Sequence, residues 1–461
     1  MNMNYHDTLR YLYGLVDYEK RRIERYSPRE FKLDRVEELL EKLGNPQNSY
    51  PTLHIAGTKG KGSVSAMLTA VAQAAGLRVG LYTSPHLHTY RERIQINREP
   101  ISRVEMTALV NEIQPVVESD PKLTTFEVTT ALCFLYFARQ EVDLAVMEVG
   151  LGGRLDATNV ITPEISIITS LSLDHTYLLG DTIGEIAHEK GGIIKPRVPV
   201  VTAPQQPDAI AELTAIAEAQ NTPLTQVGRD WAWESGERHF SGQTITVHRT
   251  DSPSAFDGTY DVALLGDFQQ ENACVAIAVT AILHQTGHEW ATPAALRAGL
   301  AEVTWPGRLE VLHQEPRLVV DCAHNPYSAE KLAESLRTWF PDTQWVLIYG
   351  ASSDKDIAGM LDALMPISEH IIVTRSYHPR AAAPAELADL CADLGHGAEI
   401  AVNPRRALEQ ADRHLRPNWG ILATGSIFLV AEVREAWSKR ANLRLPLGDW
   451  VDEPWNAEDN G

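Results

Sequence analysis

Between Leu53 and Leu68 the chain reads LHIAGTKGKGSVSAML, and this stretch constrains the fold more than any other. A short apolar run of strand type stops at Gly57. A glycine-lysine loop and a serine follow, and then an alanine-rich segment with helical patterning. A buried strand that turns through glycines into a helix opens a parallel α/β layer. It also points backbone N–H groups, a lysine ammonium and a helix N-terminus at one spot, which suits phosphate. The common form of this loop is G-x-x-x-x-G-K-[ST]. Here Gly57-Thr58-Lys59-Gly60-Lys61-Gly62-Ser63 has fewer residues before Gly60 and an extra glycine before the serine. In the phosphate reading, Lys61 reaches the β- and γ-phosphates of a nucleoside triphosphate. Ser63 then faces the phosphates or a magnesium ion. A glycine turn with no ligand is the plain alternative.

At 461 residues the chain exceeds one ordinary core, and two domains are expected. The formal net charge of −20 argues against a general nucleic-acid binder, so any positive phosphate site must be local. No apolar run is long enough to span a bilayer, and the opening MNMNYHDTLRYLYGL lacks the pattern of a signal peptide. Cys133, Cys274, Cys322 and Cys391 are scattered without metal spacing and read as reduced cytoplasmic thiols.

Strand-type runs alternate with helical patterns through most of the chain. LRVGLYTS, DLAVMEVG, EISIITSL and VPVVTA read as buried parallel strands. The segment from about 226 to 262 alternates, as in HFSGQTITVHRT, and predicts a small antiparallel insert. After Pro306-Gly307-Arg308 the α/β alternation restarts with RLVVDCAHN, WVLIYGAS, HIIVTRS and GILATGS. The expected fold is α/β: a parallel-sheet first domain carrying the phosphate loop over 1–303, then a smaller Rossmann-like α/β domain over 304–445. The remainder, 446–461, reads as an acidic tail. The ligand edge of the second domain should be the carboxyl ends of its strands.

Several positions carry chemistry. In DLAVMEVGLGGRLDATN a buried strand delivers Glu148 to its carboxyl end, a natural magnesium ligand beside a triphosphate. Ser84, in TSPH, ends a strand near the same place; it is either a cation ligand or a turn cap before proline. His175 sits just past the strand EISIITS and Lys190 leads into Gly191-Gly192; spacing alone gives neither a role. Arg308 lies between the domains, where it either reaches a phosphate bound by the other domain or decorates a linker. Asp321 and His324 in DCAHNP, and Ser426 after ILAT, end buried strands.

Taken in order, HIAGTKGKGS, TSPHL, TFE with a TTA helix, EVGLGGRLDATN, S-x-D-H-x-x-x-L-G, E-K-G-G-I-I-K, L-G-x-x-Q-x-x-N-A, PGR, D-x-A-H-N-P and G-S resemble one family from about Leu53 to Ser426. The chain resembles the folylpolyglutamate synthase/dihydrofolate synthase branch of the Mur ligase superfamily. EVGLGGRLDATN is specific to that branch; the phosphate loop and the D-H motif are shared more widely.

The resemblance implies roles residue by residue. ATP phosphates lie on Thr58, Lys59, Gly60, Lys61, Gly62 and Ser63. Asn272 contacts the adenine, Arg308 a phosphate, and Asp321 the nucleotide from the second domain. Ser84, Glu148 and His175 hold magnesium. Lys190 carries a carbamate, whose oxygens suit a second magnesium ion where a bare ammonium would repel it. Lys61, Glu148, His175, Lys190 and Arg308 thus form the catalytic set. Thr124, Thr125, Phe126 and Glu127, with Leu155, Asp156 and Ala157, match the pterin-side pocket. His324 and Ser426 match positions near the incoming glutamate. Three positions depart from the family pattern: Lys59 stands where asparagine is frequent, Cys322 where glycine is, and Phe268 where histidine is.

The implied reaction is ATP-dependent ligation of L-glutamate to dihydropteroate, to reduced folates, or to both, through an acyl phosphate. No protein nucleophile is needed, which agrees with the lack of a convincing Ser-His-Asp or Cys-His arrangement. The partners implied are small molecules, with no nucleic acid and no membrane, and the protein is expected to be a cytoplasmic monomer. Three alternatives stand beside this one, of which a P-loop kinase or GTPase switch leaves the second α/β domain with DCAHNP and ATGS unexplained. A Mur-type ligase for a cell-wall precursor would share the loop and the carbamate lysine. It would lack EVGLGGRLDATN and usually adds an N-terminal domain, for which little room precedes residue 57. A non-catalytic ATP-binding module would bind nucleotide without glutamate-dependent phosphate release.

Overall fold

The computed structural model describes residues 3–16, 32–120, 122–441, 445–446 and 448–449. The first sheet has eight strands: β1 Thr52–Ala56, β2 Val79–Tyr82, β3 Ile94–Ile96, β4 Glu99–Pro100, β5 Leu144–Glu148, β6 Ile165–Ile168, β7 Val200–Thr202 and β8 Leu224–Gln226. Their order is β4-β3-β2-β5-β1-β6-β7-β8. All pairings from β2 to β8 are parallel, as the apolar runs predict. The antiparallel margin formed by β3 and β4 is not foreseen by those runs: three-residue β3 is too short to show a period.

Strand alternation splits this core in two. Leu144 and Val146 of β5 join Leu53 and Ile55 of β1 against the helices Lys61–Ala74 and Phe268–Gln285. Ala145 and Met147 face the other way, onto the helices Arg103–Val117 and Thr125–Arg139. A separate antiparallel sheet, β9 Trp231–His239, β10 Gly242–Arg249 and β11 Gly258–Val262, buries Ile245 and Val247 in the first of these cores.

The third sheet comprises β12 Glu310–Gln314, β13 Arg317–Asp321, β14 Gln344–Tyr349, β15 Ser368–Val373, β16 Glu399–Ile400 and β17 Trp419–Thr424. Its order is β12-β13-β17-β14-β15-β16, parallel except at β12. Leu318 and Val320 of β13 pack on one face and Val319 on the other, so helices cover both. All four cysteines are free and buried. Among the described residues no helix is long and apolar enough to cross a membrane. Of the acidic tail, 447 and 450–461 lie outside the described residues.

Candidate active site

β1 ends at Ala56 and the chain turns into the loop ahead of the helix Lys61–Ala74. Gly60 caps that helix in a left-handed conformation, φ 93°, and a Cβ there would lie 2.4 Å from Asn272 Oδ1. Only glycine satisfies both conditions. The close approach seats Asn272, from the helix Phe268–Gln285, on the loop. Gln269 of the same helix donates to Ser63 Oγ at 3.2 Å and accepts from Asn272 Nδ2 at 2.9 Å. On the other side the N–H groups of Thr58 and Lys59 donate to the Ser170 carbonyl at 3.0 and 3.1 Å. Lys61 Nζ donates to the Gly57 carbonyl at 3.1 Å. The helix N-terminus therefore opens behind a loop held from three directions, with a cation at its rim.

Glu148 closes β5 beside Ile55 of β1 and is buried. Among the described residues it accepts one hydrogen bond, from the Ser84 N–H at 3.4 Å. Burial pushes its carboxyl up to about 7, against the pull of Lys61, the Ser84 N–H and Arg308. Lys190, in the helix Ile183–Gly191, is buried as well. Burial brings its ammonium down to about 7; neighbouring Lys61 lowers it further, and Asp174 and Asp156 offset this in part. His175 lies at the N-cap of the short helix Thr176–Leu179, partly exposed, and burial of its ring lowers it to about 4. The loop between Glu148 and Lys190 is tied to the lysine's helix. Arg154 N donates to the Glu189 carbonyl at 2.7 Å and its guanidinium pairs with the Glu189 carboxylate at 2.7 Å.

Asp156 is used differently. It accepts from the N–H groups of Gly150, Leu151 and Thr158 and from Thr158 Oγ1, at 2.6–3.0 Å. It holds the loop's shape, with no lone pair left over for a cation. Ala157 belongs to the core and Leu155 is half-buried. Thr124 and Glu127 cap their helix reciprocally, Arg35 pairs with Glu127 at 2.9 Å, and Thr125 Oγ1 donates to the Leu12 carbonyl at 2.9 Å. Half-buried Phe126 packs by Tyr82, ring centroids 6.0 Å apart, and over Gly150. The polar members of the expected pterin pocket are thus engaged in local structure.

The carboxyl edge of the third sheet meets this site. Asp321, ending β13, accepts from the N–H groups of Leu309 and Ala323, both at 2.8 Å, and so fixes the turn that carries Arg308. Gly307, φ 73°, packs so closely on that edge that a Cβ would lie 2.7 Å from Cys322 Sγ. His324 Nδ1 bonds the Cys322 carbonyl at 2.9 Å, and its Nε2 lies 3.2 Å from Lys59 Nζ. Lys59 pairs with Asp174 at 3.3 Å, and Asn325 Nδ2 donates to the same carboxylate at 3.2 Å. Although burial raises Asp174, Lys59 beside it wins and holds the carboxyl well below its usual range. Ser426 Oγ accepts from the Phe428 N–H at 3.2 Å, at the start of the helix Ile427–Ala441. Phe268 packs at the margin of the core that holds Leu265 and Leu309, an apolar tie between the two units.

Gln269, Asp174 and Asn325 are the residues that sequence reasoning left without a role. Each stood inside a quoted motif, L-G-x-x-Q-x-x-N-A, D-H and D-x-A-H-N-P. Their signal was there, but their partners lie up to 206 residues away.

Comparison with known proteins identifies the family and the fold. The Mur ligase middle domain matches residues 55–280, and the Mur ligase glutamate ligase domain matches residues 307–427. A dihydrofolate synthase/folylpolyglutamate synthase of Bacillus subtilis is 35% identical over 414 residues, 87% of this chain and 94% of the relative. A folylpolyglutamate synthase of Lacticaseibacillus casei is 36% identical over 440 residues, 94% of this chain and 98% of the relative. The solved structure of Mycobacterium tuberculosis folylpolyglutamate synthase complexed with ADP superposes with a TM-score of 0.83 at 34% identity, covering 96% of this chain and 99% of that one.

Proposed function

The chain belongs to the Mur ligase family, on its folylpolyglutamate and dihydrofolate synthase branch, and we propose from that premise how its residues divide the work. It is an ATP-dependent ligase that joins L-glutamate to folates. A carboxylate is a poor acyl donor because oxide would have to leave. The substrate carboxylate oxygen therefore bonds to the γ-phosphorus of ATP as the bond to ADP breaks. The glutamate amine next attacks the carbonyl carbon, loses a proton, and inorganic phosphate leaves.

Lys61 and the N–H groups of Thr58 to Ser63 bind the β- and γ-phosphates, Asn272 reads the adenine, and Arg308, fixed by Asp321, compensates charge as the phosphoryl group moves. Glu148, with one hydrogen bond and a free oxygen, and Ser84 Oγ offer oxygen donors that suit magnesium, which when bound would neutralise phosphate charge, and His175 is the third holder that the resemblance implies. Asp156 instead shapes the loop. Lys190 carries a carbamate in this proposal. Its ammonium, lowered to about 7 by burial, supplies the neutral amine that reaction with carbon dioxide needs. Thr124, Thr125, Phe126, Glu127, Leu155 and Ala157 frame the pterin side, and His324 and Ser426 lie by the incoming glutamate. The units divide near residue 304, and the protein works as a cytoplasmic monomer on both dihydropteroate and reduced folates.

The observation that carries this reading is the junction of the two carboxyl edges, where Lys59 of the phosphate loop meets His324 of the third sheet. Phosphate release with ATP and L-glutamate should require an acceptor and be supported by dihydropteroate and by tetrahydrofolate. Release with one acceptor alone would narrow the activity to that substrate. Release with neither would refute the folate assignment.

A further inference from the structure

The chemistry above uses the carboxyl ends of the third sheet. At the other ends of its strands lies a cluster the reaction does not touch. His370 stands in the first half of β15, Glu399 opens the outermost strand β16, and His414 is the last residue of the helix Pro404–His414. His370 Nε2 lies 3.0 Å from Glu399 Oε1, and His414 Nε2 lies 2.9 Å from the same oxygen. The imidazoles are stacked, with centroids 3.7 Å apart and planes 24° from parallel. The candidate ligand atoms all lie within 4.8 Å of one another, and His370 and His414 line a cleft of about 360 Å³ together with Leu415 and Trp419.

We propose that His370, Glu399 and His414 bind one transition-metal ion of the zinc class. Two imidazoles and a carboxylate are the donors that Zn²⁺, Co²⁺ and Ni²⁺ prefer, whereas Mg²⁺ takes oxygen ligands. Metal–ligand bonds of about 2.0–2.1 Å in a tetrahedron place ligand atoms roughly 3.3–3.4 Å apart. The two nitrogen–oxygen separations stand a few tenths of an ångström inside that edge, and the stacked rings lie in nearly parallel planes, so the ion enters as the side chains spread and one imidazole turns out of the stack to aim its Nε2 lone pair. The last-turn carbonyls of the helix that ends at His414 add negative potential where a cation would sit. Arg413 and Arg416 line the same cleft and oppose a cation, Glu369 favours one, and the Arg416 guanidinium lies over the Trp419 ring, 5.1 Å from the centroid. The ligands come from two strands and a helix, so the bound ion staples the outer margin of the sheet, and its fourth position is left to water.

The test is Zn²⁺ titration of metal-stripped protein against a chromophoric chelator, in parallel with the double variant His370→Ala/His414→Ala. Zn²⁺ that enters the magnesium site is common to both proteins and cancels in the difference. The double variant should bind one equivalent less, or bind that equivalent at least about tenfold more weakly, the loss that even an outer-shell change produces. Its Mg²⁺-dependent ligase activity should be unchanged. Equal stoichiometry and affinity in the two proteins would overturn the site. If the double variant does not fold, Glu399→Gln keeps the shape of the cluster. Co²⁺ added to the native protein should give the intense visible absorption of a low-coordinate site and only weak bands in Glu399→Gln. Identical spectra would overturn the proposal.

Discussion

The two carboxyl edges that meet at the site use their polar groups in opposite ways. On the first sheet, Glu148 accepts one bond at 3.4 Å and Lys190 is buried beside another lysine, so both are displaced from their ordinary titration. On the third sheet, Asp321 accepts two backbone N–H groups at 2.8 Å, Asn325 caps its helix, and Ser426 accepts from Phe428. One edge holds charge in reserve for a substrate; on the other, Asp321, Asn325 and Ser426 each accept from the protein's own backbone. The difference suggests that the first performs phosphoryl transfer while the third supplies a rigid wall that places Arg308 and the amine.

The sharpest way to break this contrast is Glu148→Gln, which keeps shape and removes charge. Glutamate-dependent phosphate release should fall about 10²–10³-fold, the scale for losing one preorganised electrostatic group. The melting temperature should hold or rise, because a buried carboxyl is removed. An active variant would strike Glu148 from the chemistry.

At Asp321, whose carboxylate is spent on backbone, the same kind of change should cost folding instead. Asp321→Ala leaves the N–H groups of Leu309 and Ala323 without their acceptor, and Leu309 already sits at φ 42°. Losing a buried acceptor costs about 1–3 kcal/mol per group, so a denaturant midpoint should report about 2–3 kcal/mol. No measurable loss of stability would show that the turn is held by something other than this carboxylate.

How much of this was legible in the sequence follows from range. The strand runs, the phosphate loop and Glu148 at the end of DLAVME are local patterns, and the structure places them as the apolar periods imply. Gln269 bridging Ser63 to Asn272, and Asp174 shared by Lys59 and Asn325, depend on elements more than 100 residues apart and leave no period. Thr124 and Glu127 are legible as a capping box from T-x-x-E, a local pattern, whereas their place on the pterin side rests on the resemblance alone.

The strand beneath each edge sharpens the contrast under acid. β13 buries Leu318, Val319 and Val320, whereas β1 buries His54. Thr158 Oγ1 donates to Asp156, so it accepts from His54 Nε2–H at 2.8 Å, and His54 Nδ1 has no partner among the described residues. Burial lowers the imidazole to about 3 from an unfolded value of 6.5. As pH falls below 6.5 the unfolded chain takes up a proton that the native state refuses, and stability drops until pH nears 3. At pH 5 the penalty is about 2 kcal/mol, from 1.36 kcal/mol per pH unit. His54→Gln retains a donor for Thr158 and does not titrate. Its stability loss between pH 7 and pH 5 should be smaller than the native protein's by about that amount; parallel curves would exclude His54 as the cause.

The smallest effect is expected where the edges touch. Lys59 pairs with Asp174 at 3.3 Å and lies 3.2 Å from His324, and it stands where asparagine is frequent in the family. Burial lowers its ammonium to about 8 despite the pull of Asp174. On Lys59 burial outweighs the attraction, while on Asp174 the attraction outweighs burial, so the two sides of the pair largely offset each other. Asn325 holds the same carboxylate from the opposite side, so the junction does not rest on the lysine alone. Lys59→Asn leaves a shorter polar group on the loop and should change stability by less than about 1 kcal/mol, with KM for ATP and for glutamate moving by less than about fivefold. Urea midpoints and initial rates measure both. A loss above about 2 kcal/mol, or a KM for glutamate that rises with ATP unaffected, would make the ammonium the clasp between the edges, and the third-sheet edge would no longer count as self-sufficient.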